Sequence, residues 1–88
     1  MSILVSDTYR IQMDRDPNLV KLGTQIRTLR KAAGYSQESF AYFIGMARAY
    51  FGGVERGERN IASLNLIRIA KALKVEVGEL FPNQKDLS

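Results

Sequence analysis

The tract from Gln37 to Glu55, QESFAYFIGMARAYFGGVE, constrains this chain more than any other stretch. Ser36 stands where a helix N-cap belongs, and Phe40 and Ile44 then fall four apart on one face. Ala41 carries no bulk to hold off a neighbouring helix. Gly45 follows four residues on and suits the left-handed conformation that ends a helix without a Cβ penalty. After about three residues of turn, a second apolar pair, Phe51 and Val54, opens a new helical phase. The tract predicts two short helices, tightly joined and crossing at a small residue.

Two helices joined in this way build a helix-turn-helix. That motif presents its second helix to the major groove of DNA. Charge placement agrees. The net charge is +4. From Asn18 to Tyr35 the basic residues Lys21, Arg27, Arg30 and Lys31 occur with no acid, and residues 61 to 75 add Arg68, Lys71 and Lys74, again with none. Both ends of the chain are slightly acidic. A basic middle suits a polyanion partner, although solvated helix faces would carry the same charges.

Composition narrows the remaining classes. Eighty-eight residues make one small domain, a size that often gains stability by oligomerising. With hydrophobic residues at 45% and charged ones at 25%, an ordinary folded globule is expected. The chain has no Cys and no His, which excludes disulfides, thiolate or imidazole metal sites, and Cys- or His-based catalysis. No nucleotide-binding glycine loop and no paired carboxylates on a shared face offer a reaction, so no catalytic, metal or cofactor site is expected. Ser36 and Ser39 have no base beside them and read as helix-start residues. No apolar run approaches the roughly 20 residues of a membrane span. The expectation is a cytoplasmic, nucleoid-associated protein.

Along the chain, residues 1–15 show no helical period and read as a flexible arm. Asp16-Pro17 is a helix start, and Leu19, Leu22, Ile26, Leu29 and Ala33 recur at three- and four-residue steps. Gly34 ends that first helix. The second runs from about Gln37 to Ile44 and the third from about Ala47 to Arg56, closed by Gly57. The fourth covers about Ser63 to Leu73, with Leu66, Ile69, Ala70 and Leu73 inward. The segment from Val75 to Phe81 reads as either a fifth short helix or an apolar loop, stopped by Pro82. Residues 16–82 thus form the domain and 83–88 a C-terminal tail.

Two charges fall on inward faces. Arg30 lies about 40° round its helix from Ile26, beside Leu22 and Leu29. Glu55 follows Phe51 by four residues and so also points inward. A lone buried charge would cost several kcal/mol, roughly the scale that pairing offsets. Pairing Arg30 with Glu55 across the first and third helices resolves both; the alternative is that each snorkels to the surface separately.

Arg30, Gln37, Ala41, Gly45 and the Val54-Glu55 pair, at these spacings, resemble the Cro and phage-repressor type of helix-turn-helix, the xenobiotic-response-element family. The resemblance covers roughly Leu19 to Phe81. The tract ARAYFGGVERGERNI, from Ala47 to Ile61, looks closer still to the small controller proteins of restriction–modification systems. It implies an all-α, compact five-helix, lambda-repressor-like DNA-binding domain with the helix-turn-helix at helices 2 and 3. In that family the arginine and glutamate matching Arg30 and Glu55 pair, the glutamine matching Gln37 contacts a phosphate, and the last helix builds a two-fold dimer. The family often places a capping Asp, Ser or Thr where this chain has Ala47.

A DNA-contacting set follows. Seen down the third helix from Phe51, the outward positions are Ala49, Gly52, Gly53 and Arg56, with Arg48 and Tyr50 on the flanks. Adjacent glycines in an exposed helix cost roughly 1 kcal/mol each against alanine, so close approach to DNA is one reason for them and a frayed helix end another. Small neighbours leave Arg48 as the leading base reader, bidentate to guanine, with a phosphate contact as the alternative. Arg56, Arg59 and Asn60 are expected to clamp the backbone. Tyr50 either donates to a phosphate or packs against helix 2. Leu64, Ile67, Val75, Val77, Leu80 and Phe81 are more apolar than four helices of this size can hide; this surplus matches the family's dimer, so Val75, Val77, Leu80 and Phe81 are assigned to that interface, with Phe81 completing the monomer's own core as the alternative.

The expected function is a homodimeric, sequence-specific regulator on a pseudo-palindromic double-stranded operator, with no small-molecule ligand. An antitoxin or phage-type repressor would use the same fold. A protein-interaction adaptor is the reading from another class, and the basic loop from Arg56 to Asn60 speaks against it.

Overall fold

Asp16 opens the first helix of the computed structural model, which describes residues 15–88. The expected N-terminal arm therefore lies outside the described residues except for Arg15. The Asp16 carboxylate accepts from the backbone N–H of Asn18 at 2.8 Å, and Pro17 takes the first helical position. Four α-helices follow: α1 (Pro17–Ala32), α2 (Gln37–Phe43), α3 (Arg48–Glu55) and α4 (Ser63–Leu73). The fifth element is a single 3-10 turn, Val77–Leu80, and a second such turn spans Gln84–Asp86.

Local chemistry sets the helix ends. Ser36 accepts from the Ser39 backbone at 3.0 Å while Ser39 Oγ accepts from the Ser36 backbone at 3.1 Å, a reciprocal cap that starts α2. Helices α1, α2 and α3 each close on a glycine of positive φ: Gly34 (88°), Gly45 (69°) and Gly57 (77°). In each case two backbone N–H groups beyond the helix turn back onto its last free carbonyls, as with Gly45 to Tyr42 (3.1 Å) and Met46 to Ala41 (2.8 Å). The same pattern closes α4, but there the left-handed residue is Lys74, at φ 60°.

The inward stripes meet in one core. Phe40, Phe51, Ile26, Ile69 and Leu80 are its largest fully enclosed side chains. The rings of Phe40 and Phe51 lie 5.4 Å apart across the α2–α3 turn, and Tyr35 meets Phe40 edge-on at 5.0 Å. Ala41 is buried, as a crossing position requires. Ala33 departs from the expected inward stripe: it caps α1 and is exposed.

Backbone approaches backbone most closely at Gly23. A Cβ built there would stand 2.3 Å from the Val54 carbonyl oxygen and 2.5 Å from that of Glu55. Only a residue without a side chain lets α1 pass the last turn of α3 at this distance.

Leu80 corrects the sequence reading. Assigned there to a dimer interface, it is fully buried in its own chain, because the 3-10 turn tucks it into the core. Val75 is half-buried against the same core, whereas Val77 and Phe81 are exposed. The last residues fold back on α1. Lys21 donates to the Asp86 carbonyl, and the Ser88 N–H donates to Asn18 Oδ1 at 2.8 Å. Among the described residues no helix is long and apolar enough to cross a membrane.

Candidate nucleic-acid interface

Glu55, the last residue of α3, holds that helix to the rest of the domain. Arg30 donates to both of its carboxylate oxygens, Nε to Oε2 at 2.6 Å and Nη2 to Oε1 at 3.0 Å. Both residues are 5% exposed. The remaining guanidinium nitrogen, Nη1, donates to the Tyr35 carbonyl at 2.8 Å, directly after the Gly34 turn. Gln37 Nε2 completes the cluster, donating to Glu55 Oε1 at 2.8 Å. Among the described residues no buried side-chain nitrogen or oxygen lacks a partner. One carboxylate thus ties α1, the start of α2 and the end of α3 together. Its desolvation is offset by three donors, two of them charged.

Gln37 is consequently half-buried, with its amide nitrogen committed to Glu55. Its Oε1 lies over Gly52: a Cβ at Gly52 would stand 3.2 Å from it and 3.1 Å from Arg56 Nη1. Gly53 is covered in the same way by the stem of Arg59, whose Cγ would lie 2.8 Å from an added Cβ. Both glycines are therefore buried rather than bare on the outward face. They are small so that side chains of their own chain can lie across the helix.

What α3 does expose is Arg48 and Ala49 at its start. Ala47 caps that start without a side-chain hydrogen bond. Tyr50 is half-buried and packs on the core. Past the other end, Arg56, Arg59 and Asn60 are all exposed. The exposed basic side chains thus flank both ends of a short helix whose middle is filled by Gln37, Arg56 and Arg59. Lys71 and Lys74, on and after α4, are solvated.

Glu58 and Arg15 escaped the sequence reading. Arg56 donates twice to the Glu58 carboxylate, Nε to Oε2 and Nη2 to Oε1, both at 3.1 Å, and Arg15 donates to Oε2 from in front of α1. The hydrogen bond from Arg56 holds the Glu58 carboxyl below the usual carboxylate range, and Arg15 adds to the effect. That linkage is present above the ordinary carboxylate pKa and is lost as pH falls through the lowered one. The available signal was the alternation in ERGER, which places an acid between two arginines of a basic loop. Among the described residues no cluster of acidic side chains could hold a metal ion.

The comparisons agree with this geometry. The helix-turn-helix family model matches residues 26–80. In Serratia marcescens, the control protein C.SmaI is 41% identical over 63 residues, covering 72% of this chain and 75% of its own. The crystal structure of the restriction–modification controller protein C.AhdI from Aeromonas hydrophila superimposes with a TM-score of 0.69 at 51% identity, covering 72% of this chain and 96% of that one. A hypothetical transcription factor from Neisseria, NHTF, superimposes with a TM-score of 0.71 at 36% identity, covering 77% and 79%. With α2 and α3 forming the motif itself, the chain belongs to the helix-turn-helix family, in its Cro/repressor-like form.

Proposed function

We propose that this protein is a controller of a restriction–modification system, acting as a homodimer on an operator of two half-sites. At the coarser level it is a sequence-specific DNA-binding transcriptional regulator. The observation that carries the proposal is the exposed start of α3, with Arg48 and Ala49 held by the buried Arg30–Glu55–Gln37 cluster and basic side chains beyond its far end. The control proteins among its relatives support the finer assignment. In this reading α3 enters the major groove and Arg48 reads a guanine. Arg56, Arg59 and Asn60 grip the sugar-phosphate backbone and set the register. Gln37 reaches a phosphate only through what its bond to Glu55 leaves free, which makes it first a brace for α3. The protein then works at the nucleoid, in the cytoplasm.

The test compares Arg48→Ala with Arg59→Ala on an operator selected from a random duplex library and on random duplex, at several salt concentrations. Arg48→Ala should cost about 1–3 kcal/mol on the operator, relax preference at one base position and change random binding little. Arg59→Ala should weaken both duplexes alike and flatten the salt dependence by about one unit. Equal losses on both duplexes for Arg48→Ala, with base preference intact, would make Arg48 a phosphate contact and leave specificity to DNA shape.

A further inference from the structure

Glu58 is an acid in the loop that the proposed function turns toward DNA, and it carries two arginines from different parts of the chain, one beside it and one ahead of α1. Arg56 approaches from the end of α3 through a two-bond fork, and Arg15 from the residue before Asp16. The three side chains remain accessible, at 54% for Arg56, 50% for Arg15 and 34% for Glu58. Exposed pairs of this kind add little to stability, so folding alone gives weak reason for the trio. A carboxylate and a phosphate present the same kind of acceptor edge to a guanidinium. Arg56 also lies across Gly52, on the outer side of α3, where a groove wall would pass.

We infer that Glu58 is an internal stand-in for a DNA phosphate, and that Arg15 is a further backbone-contacting residue, held beside Arg56 by Glu58 until a phosphate displaces the carboxylate. The inference rests on the DNA-binding reading and adds a residue and a control to it. With Glu58 in place, each arginine must leave a partner before it grips DNA, and the freed carboxylate repels a badly seated backbone. Non-specific binding is thereby weakened more than binding to a site whose other contacts are complete. With Glu58 removed, Arg56 and Arg15 become a preformed two-arginine cradle.

The experiment is a double-mutant cycle on the full chain, read by fluorescence anisotropy with random duplex DNA at several salt concentrations. Glu58→Gln should bind about three- to tenfold more tightly, with a salt slope steeper by about one to two units. Arg15→Ala should weaken binding by about twofold in the wild type, where Glu58 opposes its phosphate contact, and by about fivefold in the Glu58→Gln background, where nothing does. Equal effects of Arg15→Ala in both backgrounds would overturn the inference, since Glu58 would then act only through general charge. A wild type that binds no duplex even at the lowest salt would instead remove the DNA-binding reading, and this one with it. A second arm needs no DNA. The Glu58 carboxyl titration, followed by NMR, should move upward in Arg15→Ala and in Arg56→Ala, and an unmoved midpoint in both would show that the trio does not form.

Discussion

Glu55 takes three hydrogen bonds on one carboxylate, two from Arg30 on α1 and one from Gln37 at the start of α2. Removing Arg30 strands a buried anion, while neutralising Glu55 strands a buried cation. Arg30→Met and Glu55→Gln should each lose about 3–5 kcal/mol in denaturant unfolding, and losses under about 0.5 kcal/mol would show the cluster to be dispensable. The glycines separate stability from function. Replacing a helical glycine by alanine ordinarily gains about 1 kcal/mol. At Gly23 the new Cβ meets rigid backbone, so Gly23→Ala should lose about 1–3 kcal/mol despite that gain. At Gly52 it meets only the ends of Gln37 and Arg56. Gly52→Ala should therefore raise stability by up to about 1 kcal/mol while lowering operator affinity, because both side chains must move. Of these residues, Arg30 and Glu55 were legible from helical phase. Gly52 and Gly53 read as outward positions but lie under Gln37, Arg56 and Arg59, since phase about a helix axis does not reveal which side chains fold over it. Gly23 carried a usable signal: a glycine within a helical pattern costs enough to call for a packing reason.

At the scale of elements, the helix ends follow local rules, and two positions depart from them. Ala47 begins α3 with no side-chain cap, and Lys74 closes α4 in a conformation glycine would adopt freely. Ala47→Ser should add about 1 kcal/mol by supplying an acceptor for the first free N–H groups of α3. Lys74→Gly should add about 1 kcal/mol by relieving the left-handed strain at a β-carbon. Thermal melts check both, and an unchanged Lys74→Gly would mean that the unfolded chain's added freedom cancels the relief. Boundaries of α1 through α4 were readable because caps, glycine stops and apolar spacing act within a few residues. The segment after α4 was ambiguous for the same reason. Four residues of 3-10 turn are too short to show a period, and only packing against α1 and α4 selects it.

Across the whole molecule, the exposed apolar residues Leu64, Ile67, Val77 and Phe81 suit the proposed dimer, with Leu80 reassigned to the core. Phe81→Asp should therefore yield a folded monomer in sedimentation, with much weaker operator binding, whereas Leu80→Asp should unfold the domain by burying a charge without a partner. A Phe81→Asp protein that stays dimeric would move the interface elsewhere. The sequence by itself determined the helices, the turn between α2 and α3, most of the core and the choice facing Arg30 and Glu55, to pair or to snorkel apart, which the structure resolves as a pair. Those depend on spacing, on propensity and on the cost of an unpaired buried charge, all of which are written locally. Tertiary structure alone decided that Gln37 braces Glu55, that Arg56 and Arg59 lie over paired glycines, that Glu58 gathers Arg15 and Arg56, and that Leu80 faces inward. Each of those joins residues from different elements, and no periodicity within one segment records where another segment's side chains come to rest.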